Sequence, residues 1–223
     1  KNKSNKKTII YPHGGPWARD YWGFEPTAQF LAENNFNVIQ MNIRGSSGYG
    51  YEFGAEVFGN FEEVLEDIYD GIEFFDAEGL IDKNNLCIYG ISYGGYAATM
   101  APINRPDLFK CAASDAGLYD MEAQYKRGDI RRSRGGKVFL DRAFKGKDGK
   151  LDPSQSPINR VSEMRIPFFL LHGKKDIRTP YKDAELFMQE MDRNNIPYEK
   201  MIITKEEHGF SNEENREASM ERL

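Results

Sequence analysis

What the chain has little of narrows its chemistry first. It holds only two cysteines, Cys87 and Cys111, in 223 residues. Two thiols do not build a disulfide framework. Both fall in apolar, strand-like runs, so they are expected as buried free thiols. Histidine is also scarce, with three in all, His13, His172 and His208. Three dispersed histidines and two strand cysteines show no metal-ligand spacing, so neither a metal nor any other cofactor is expected. No run of about 18 apolar residues occurs, so no stretch is suited to span a membrane. An excess of positive charge is missing too, the formal net charge being −5. A nucleic-acid partner would need a basic face and is not expected. Residues 1–7 are polar, carry no apolar h-region, and read as a solvated lead-in. No signal peptide is visible there, which leaves the compartment open with a lean to the cytoplasm.

What is present supports one well-buried domain over residues 8–223. Hydrophobic residues make up 39 % and aromatics 13 %, a globular composition rather than a disordered one. There are no internal repeats. Strand-like runs at 8–11, 37–43, 86–89, 109–114, 166–171 and 198–204 alternate with helical ones. The helical runs are Pro26–Glu33, 60–77, the stretch after Ser92, 181–191 and 211–223. On the 60–77 stretch, Phe61, Val64, Leu65, Ile68, Ile72 and Phe75 share one face. The continuous apolar run at 166–171 marks a parallel strand covered on both sides. The alternation implies an α/β fold with a mostly parallel sheet and helices on both faces. Only the interval of about 120–160 breaks the rhythm. It reads either as a solvated surface insertion or as a cap whose arginines (Arg127, Arg131, Arg132, Arg134) meet a substrate carboxylate. Leu118, Tyr119, Met121 and Tyr125, just after the preceding strand, are the candidate walls of a specificity pocket.

The chain is organised around Gly90-Ile91-Ser92-Tyr93-Gly94-Gly95, set between a short strand and a small-residue helix. A strand that turns sharply into a helix strains the backbone of the residue at the apex. Its neighbours two before and two after must then be nearly without side chains. Ser92 is thus presented as a nucleophile over a helix N-terminus, where free N–H groups favour developing negative charge.

A serine nucleophile needs a base, and three histidines make elimination short. His13 sits in a glycine turn that suggests another task. His172 ends the apolar strand and reads as a packed structural residue. His208, in the loop after the last strand, is the best base. Asp176, in the loop after the apolar strand, is the candidate carboxylate that fixes its tautomer. Glu206 and Glu207 adjoin the base in sequence but are expected to face solvent, and Asp67 and Asp70 to be surface or structural charges. The resulting order, Ser92, Asp176, His208, is that of α/β-hydrolases. The tetrahedral intermediate needs two N–H donors. One is the backbone of Tyr93; the other comes from His13-Gly14-Gly15-Pro16, with Gly15 first choice and Gly14 second.

These stretches together carry a family resemblance. His13-Gly-Gly-Pro16, Asn42-Ile-Arg-Gly-Ser-Ser-Gly-Tyr-Gly50, the Ser92 turn, Ser156-Pro-Ile158, His172-Gly-Lys-Lys-Asp-Ile-Arg-Thr-Pro180 and Glu207-His-Gly209 run in collinear order. So read, the chain resembles the catalytic domain of the prolyl oligopeptidase family, nearest its acylaminoacyl-peptidase and dipeptidyl-peptidase branches. The resemblance implies serine peptidase activity on short peptides, with Ser92, Asp176 and His208 as triad and Arg44 as a scaffold residue. It also implies a longer parent protein with an upstream β-propeller, and leaves room for a homo-oligomer. The first two strands of the α/β-hydrolase fold are missing, which would leave 37–43 as an open sheet edge. Thr179 and Lys182 stand where the family tends to valine and glutamine. A carboxylesterase using the same groups is the alternative activity, since esters acylate a serine more easily than amides. A non-catalytic module is the third reading, against which the intact serine turn weighs. Nucleotide binding at 44–50 fails, because that loop lacks the Lys-Ser/Thr of a phosphate loop.

Overall fold

The computed structural model describes residues 7–223, so the polar lead-in, Lys7 apart, lies outside the described residues. The chain opens with β1 (Thr8–Ile10), α1 (Pro26–Glu33), β2 (Asn37–Ile39), α2 (Tyr51–Ala55) and α3 (Glu66–Ala77). Next come β3 (Leu86–Ile91), α4 (Tyr93–Asn104), β4 (Cys111–Asp115), α5 (Met121–Lys126) and α6 (Arg134–Phe144). Finally β5 (Phe168–Gly173), α7 (Tyr181–Arg193), β6 (Tyr198–Ile203) and α8 (Glu213–Arg222) complete the order.

All six strands are parallel, in the order β2-β1-β3-β4-β5-β6. Successive side chains of a strand point to opposite faces, and β3 shows the consequence. Leu86 and Ile88 join Ile10, Ile68, Ile72 and Ala97 in the larger core, under α3 and α4. Cys87, Tyr89 and Ile91 face the other way, toward Ala28 and Leu31 of α1 and Leu223 beyond α8. Tyr11 stacks on Tyr89 there, with ring centroids 5.4 Å apart. Each fully buried isoleucine or leucine in these layers contributes about 2 kcal/mol, so the two-sided cover is what holds the sheet. β2 is an edge strand, and only three residues long.

Helix α1 has the boundaries its sequence signals predict. The Glu25 side chain accepts from Ala28 N and Pro26 sits at the first turn, where its missing N–H costs nothing. The 60–77 run is not one helix. A 3₁₀ turn over Glu63–Leu65 precedes α3, because Phe61 N donates at 3.0 Å to Gln155 Oε1 rather than entering a helix.

The cysteine expectation is overturned. Cys87 and Cys111 are register partners on β3 and β4, and they form a disulfide with Cα atoms 4.8 Å apart. Paired positions on neighbouring strands point to the same face, within the distance a disulfide requires. Spacing along the chain does not reveal this.

Residues 120–160 are not simply a solvated excursion. Leu140, Ala143, Phe144 and Gln155 are buried, and α6 packs against the 3₁₀ turn Ile130–Arg132.

Candidate active site

The serine turn is built as its spacing implies. Ser92 has φ 60° and ψ −116°, a left-handed φ whose strain costs roughly 1–3 kcal/mol in a non-glycine residue. A side chain on Gly90 would overlap the backbone of Gly94, and one on Gly94 would overlap the carbonyl of Pro12. Ser92 N donates to Asp115 O at 2.9 Å, tying the apex to β4.

Parallel strands in register end along one rim of the sheet. The loops after β3, β5 and β6 therefore bring Ser92, Asp176 and His208 together. His208 Nε2 lies 3.0 Å from Ser92 Oγ, and His208 Nδ1 lies 2.8 Å from Asp176 Oδ2. Asp176 is buried. Its Oδ1 accepts from the amides of Arg178 and Thr179 at 2.8 and 2.9 Å. Burial alone would raise its pKa. The hydrogen bonds from His208 and from the Thr179 amide outweigh that and hold the carboxyl below its ordinary value. With Asp176 ionised, His208 keeps its proton on Nδ1 and turns Nε2 toward the serine as an acceptor.

The other two histidines are engaged elsewhere. His13 Nε2 is 2.8 Å from Ser46 Oγ, and its Nδ1 is 2.7 Å from Gly14 O. His172 is fully buried, donates from Nε2 to Thr179 O at 2.8 Å, and stands 3.5 Å from Asp176 Oδ2. Burial lowers its pKa, keeping it neutral.

The glycine turn after β1 runs against the nucleophile. A Cβ on Gly14 would stand 3.6 Å from Ser92 Cβ, and Gly15 has φ +125°. His13 pins this turn to Ser46, and the Ser46 loop is in turn clamped by Arg44. Arg44 donates to Asp67 from its backbone N at 2.7 Å and from Nε at 2.8 Å. Tyr93 N is the first amide of α4, next to the serine.

One expectation is reversed near the base. Glu206 does not face solvent; it is 3 % exposed. Its carboxylate accepts from Asn215 Nδ2 at 2.6 Å, from the Ser211 amide and hydroxyl at 2.8 and 3.0 Å, and from the Asn212 amide at 3.1 Å. These donors, Asn215 foremost, bring its pKa down to about 2. Glu206 thereby staples the loop that carries His208. Glu207 is exposed, as expected.

Beside Ser92 opens a cavity of about 300 Å³ whose lining includes Gly15, Ser92 and His208. Its walls are largely apolar, with Trp17, Phe61, Leu118, Ile130, Phe139 and Phe144. Of the sequence candidates, Leu118 lines it. Met121 is buried in the core, its backbone N donating to Ser156 Oγ at 3.0 Å. Tyr125 packs behind the wall, 6.5 Å from the Phe144 ring, and Tyr119 stacks on Phe187 at 4.6 Å. Neither Met121 nor Tyr125 is among the residues that line this cavity. Trp17, Phe61, Phe139 and Phe144 went unread. The one local signal was a tryptophan directly after the glycine turn. The cap arginines do not line the cavity. Arg127 Nε donates to Asp183 at 2.6 Å, whereas Arg178, paired with Asp129 at 2.8 and 3.0 Å, stands at the lining. Among the described residues no cluster of metal-ligating side chains occurs, and no helix is long and apolar enough to cross a membrane.

Comparison with known proteins places this geometry in a lineage. Residues 22–223 match the Prolyl oligopeptidase family (Peptidase_S9). The dipeptidyl aminopeptidase BIII of Pseudoxanthomonas mexicana is 28 % identical over 94 % of this chain and 31 % of its own length. The acylamino-acid-releasing enzyme 2 of Oryza sativa subsp. japonica is 28 % identical over 82 % of this chain and 25 % of its own. Among solved structures, the Pyrococcus horikoshii acylaminoacyl peptidase superposes with TM-score 0.86 at 27 % identity, covering 99 % of this chain and 35 % of that one. A Mycobacterium tuberculosis puromycin-hydrolyzing peptidase, at 24 % identity and TM-score 0.89, shares the fold over 99 % of this chain and 33 % of its own. The chain spans a quarter to a third of the length of these relatives. On the match across residues 22–223, the chain belongs to the prolyl oligopeptidase family.

Proposed function

We propose that this chain is the catalytic portion of a serine peptidase that cleaves short peptides through an acyl-enzyme on Ser92. The reading is carried by one observation, the continuous relay from Ser92 Oγ to His208 Nε2 at 3.0 Å and from His208 Nδ1 to Asp176 Oδ2 at 2.8 Å. Ser92 Oγ attacks the scissile carbonyl while its proton passes to His208 Nε2, and ionised Asp176 stabilises the imidazolium so formed. The carbonyl oxygen, now negative, takes hydrogen bonds from Tyr93 N and Gly15 N. Collapse of the tetrahedral species breaks the C–N bond, and His208 returns the proton to the leaving amine. Water then repeats the sequence on the acyl-enzyme, releasing the acid and restoring Ser92.

The aromatic walls of the adjoining cavity suit an apolar side chain on the residue preceding the scissile bond. Relatives three to four times longer support a parent protein with an upstream domain that limits substrate size. A fluorophosphonate probe tests the nucleophile. It should label the protein in 1:1 stoichiometry and fail on Ser92→Ala; labelling that survives the substitution rejects the assignment. Hydrolysis of aminoacyl nitroanilides measured against short acyl esters separates peptidase from esterase.

A further inference from the structure

The cavity beside Ser92 has aromatic rings on several sides, yet one buried amide interrupts them. Gln124, on α5, is among the lining residues and is only 3 % exposed. Its Nε2 has no hydrogen-bond partner among the described residues. Its Oε1 is turned toward the end of α5, where a Cβ on Gly128 would overlap it. Buried side-chain donors nearly always find an acceptor, so an unpaired amide in a binding cavity points to a partner that arrives with the ligand.

We propose that Gln124 selects, on the residue preceding the scissile bond, an apolar ring that carries a hydrogen-bond acceptor at its far end, hence tyrosine over phenylalanine. The inference rests on the peptidase reading of the site and narrows its substrate class. A cavity of about 300 Å³ lies at the small end of ligand pockets and suits one side chain. Trp17, Phe61, Phe139 and Phe144 receive the ring. A phenylalanine would leave the buried Gln124 N–H groups unpaired, whereas a tyrosine oxygen would accept one. Sites built to hydrogen-bond a substrate hydroxyl discriminate strongly against the analogue that lacks it, because the polar group is left unpaired. A carboxylate gains no comparable advantage, since the one guanidinium at the lining, Arg178, is already paired with Asp129.

The test compares alanyl-tyrosine and alanyl-phenylalanine nitroanilides, with free and acetylated N-termini, on the unaltered protein and on Gln124→Met. The expected tyrosine-to-phenylalanine ratio in kcat/KM is tenfold or more, falling to about one in Gln124→Met, whose folding is checked by circular dichroism. A ratio near one in the unaltered protein, or one unchanged in the folded variant, overturns the proposal. A binding arm needs no turnover: calorimetry of N-acetyl-tyrosinamide and N-acetyl-phenylalaninamide on Ser92→Ala. Tenfold tighter tyrosinamide on Ser92→Ala, with no hydrolysis of either nitroanilide by the unaltered protein, would sink the peptidase reading and leave this inference standing; hydrolysis by the unaltered protein without preference would do the reverse. Should Gln124→Met not fold, the ratios for the unaltered protein and for Ser92→Ala decide.

Discussion

The Thr179 hydroxyl lies 2.9 Å from Asp176 Oδ2 and 3.3 Å from His208 Nδ1, at the joint of the acid and the base. It also reaches Ala116 O at 2.9 Å. Thr179 is thus the peg that ties the Asp176 loop to the end of β4.

Thr179→Val should therefore cost activity without emptying the fold of volume. Losing the one hydrogen bond that the hydroxyl proton can make, to Ala116 O or to Asp176 Oδ2, is expected to destabilise by about 1–2 kcal/mol and to lower kcat several-fold with little change in KM. Thr179→Ser should recover most of the loss. Steady-state kinetics on both variants check this, and an unimpaired Thr179→Val would remove Thr179 from any positioning role.

Gly15→Ala should strike the chemistry rather than the fold. At φ +125° an added Cβ would stand 2.7 Å from Trp17 N and 2.8 Å from Ala18 N, so the turn must shift and carry the Gly15 amide with it. Loss of one oxyanion donor typically costs ~10²–10³ in kcat. A fall of that order is expected in protein that remains folded at the assay temperature, alongside some loss of stability from the strained turn; full activity would argue that Gly15 is not the donor.

Asp115 links stability to pH. It is almost wholly buried, with Oδ1 unpartnered among the described residues. Burial, helped by the charge of Asp176, pushes its pKa from 3.8 up to about 7. A raised acid folds best while protonated, so its favourable contribution is complete below pH 4 and is lost as pH rises through 7. The shift of roughly three units corresponds to at most about 4 kcal/mol. Asp115→Asn should consequently raise the melting temperature at pH 8, and the gain should vanish near pH 4. Thermal melts across that range decide it, and a gain independent of pH would contradict the linkage.

Glu206 has the opposite sign. Held near pKa 2 by Asn215, Ser211 and Asn212, it stabilises the fold above its unfolded pKa near 4.5, and that contribution is lost as pH falls toward 2. Glu206→Gln should lower the melting temperature at pH 7 and converge on the unaltered protein toward pH 2. A constant deficit at all pH values would mean packing, not charge, is at stake.

Phe139→Ala probes the cavity wall. Phe139 is 38 % exposed and meets Trp17 edge-on with ring centroids 5.1 Å apart. Truncation should raise KM for substrates with an aromatic residue before the cleaved bond by about tenfold, in line with roughly 1–2 kcal/mol for a lost aromatic contact. Substrates with alanine there should be little affected.

Much of this architecture was legible because it is local. Gly90 and Gly94 bracket Ser92 for steric reasons that act within five residues, and Glu25 with Pro26 starts α1 whatever surrounds it. Triad order followed from which loops close which strands. The unread parts are tertiary. Cys87 meets Cys111 only through the register of β3 on β4. Phe61 leaves its helix for a glutamine far along the chain. Glu206 is buried because Ser211, Asn212 and Asn215 curl back over it. The cavity wall draws on several separate segments, and no periodicity links Trp17 to Phe139.

The rim of the sheet distributes its tasks from one side to the other. Acid and base rest on β5 and β6, which share six register pairs, while Gly15 hangs from β1, a three-residue strand next to the edge. Damage on the β1–β2 flank should spare the proton relay and weaken the proposed Gly15 contact to the charged intermediate, leaving Tyr93 N alone to meet it. Damage on the β5–β6 flank would do the converse. Lesions mapped across the sheet should sort into two kinetic phenotypes, divided along the line between β1 and β5.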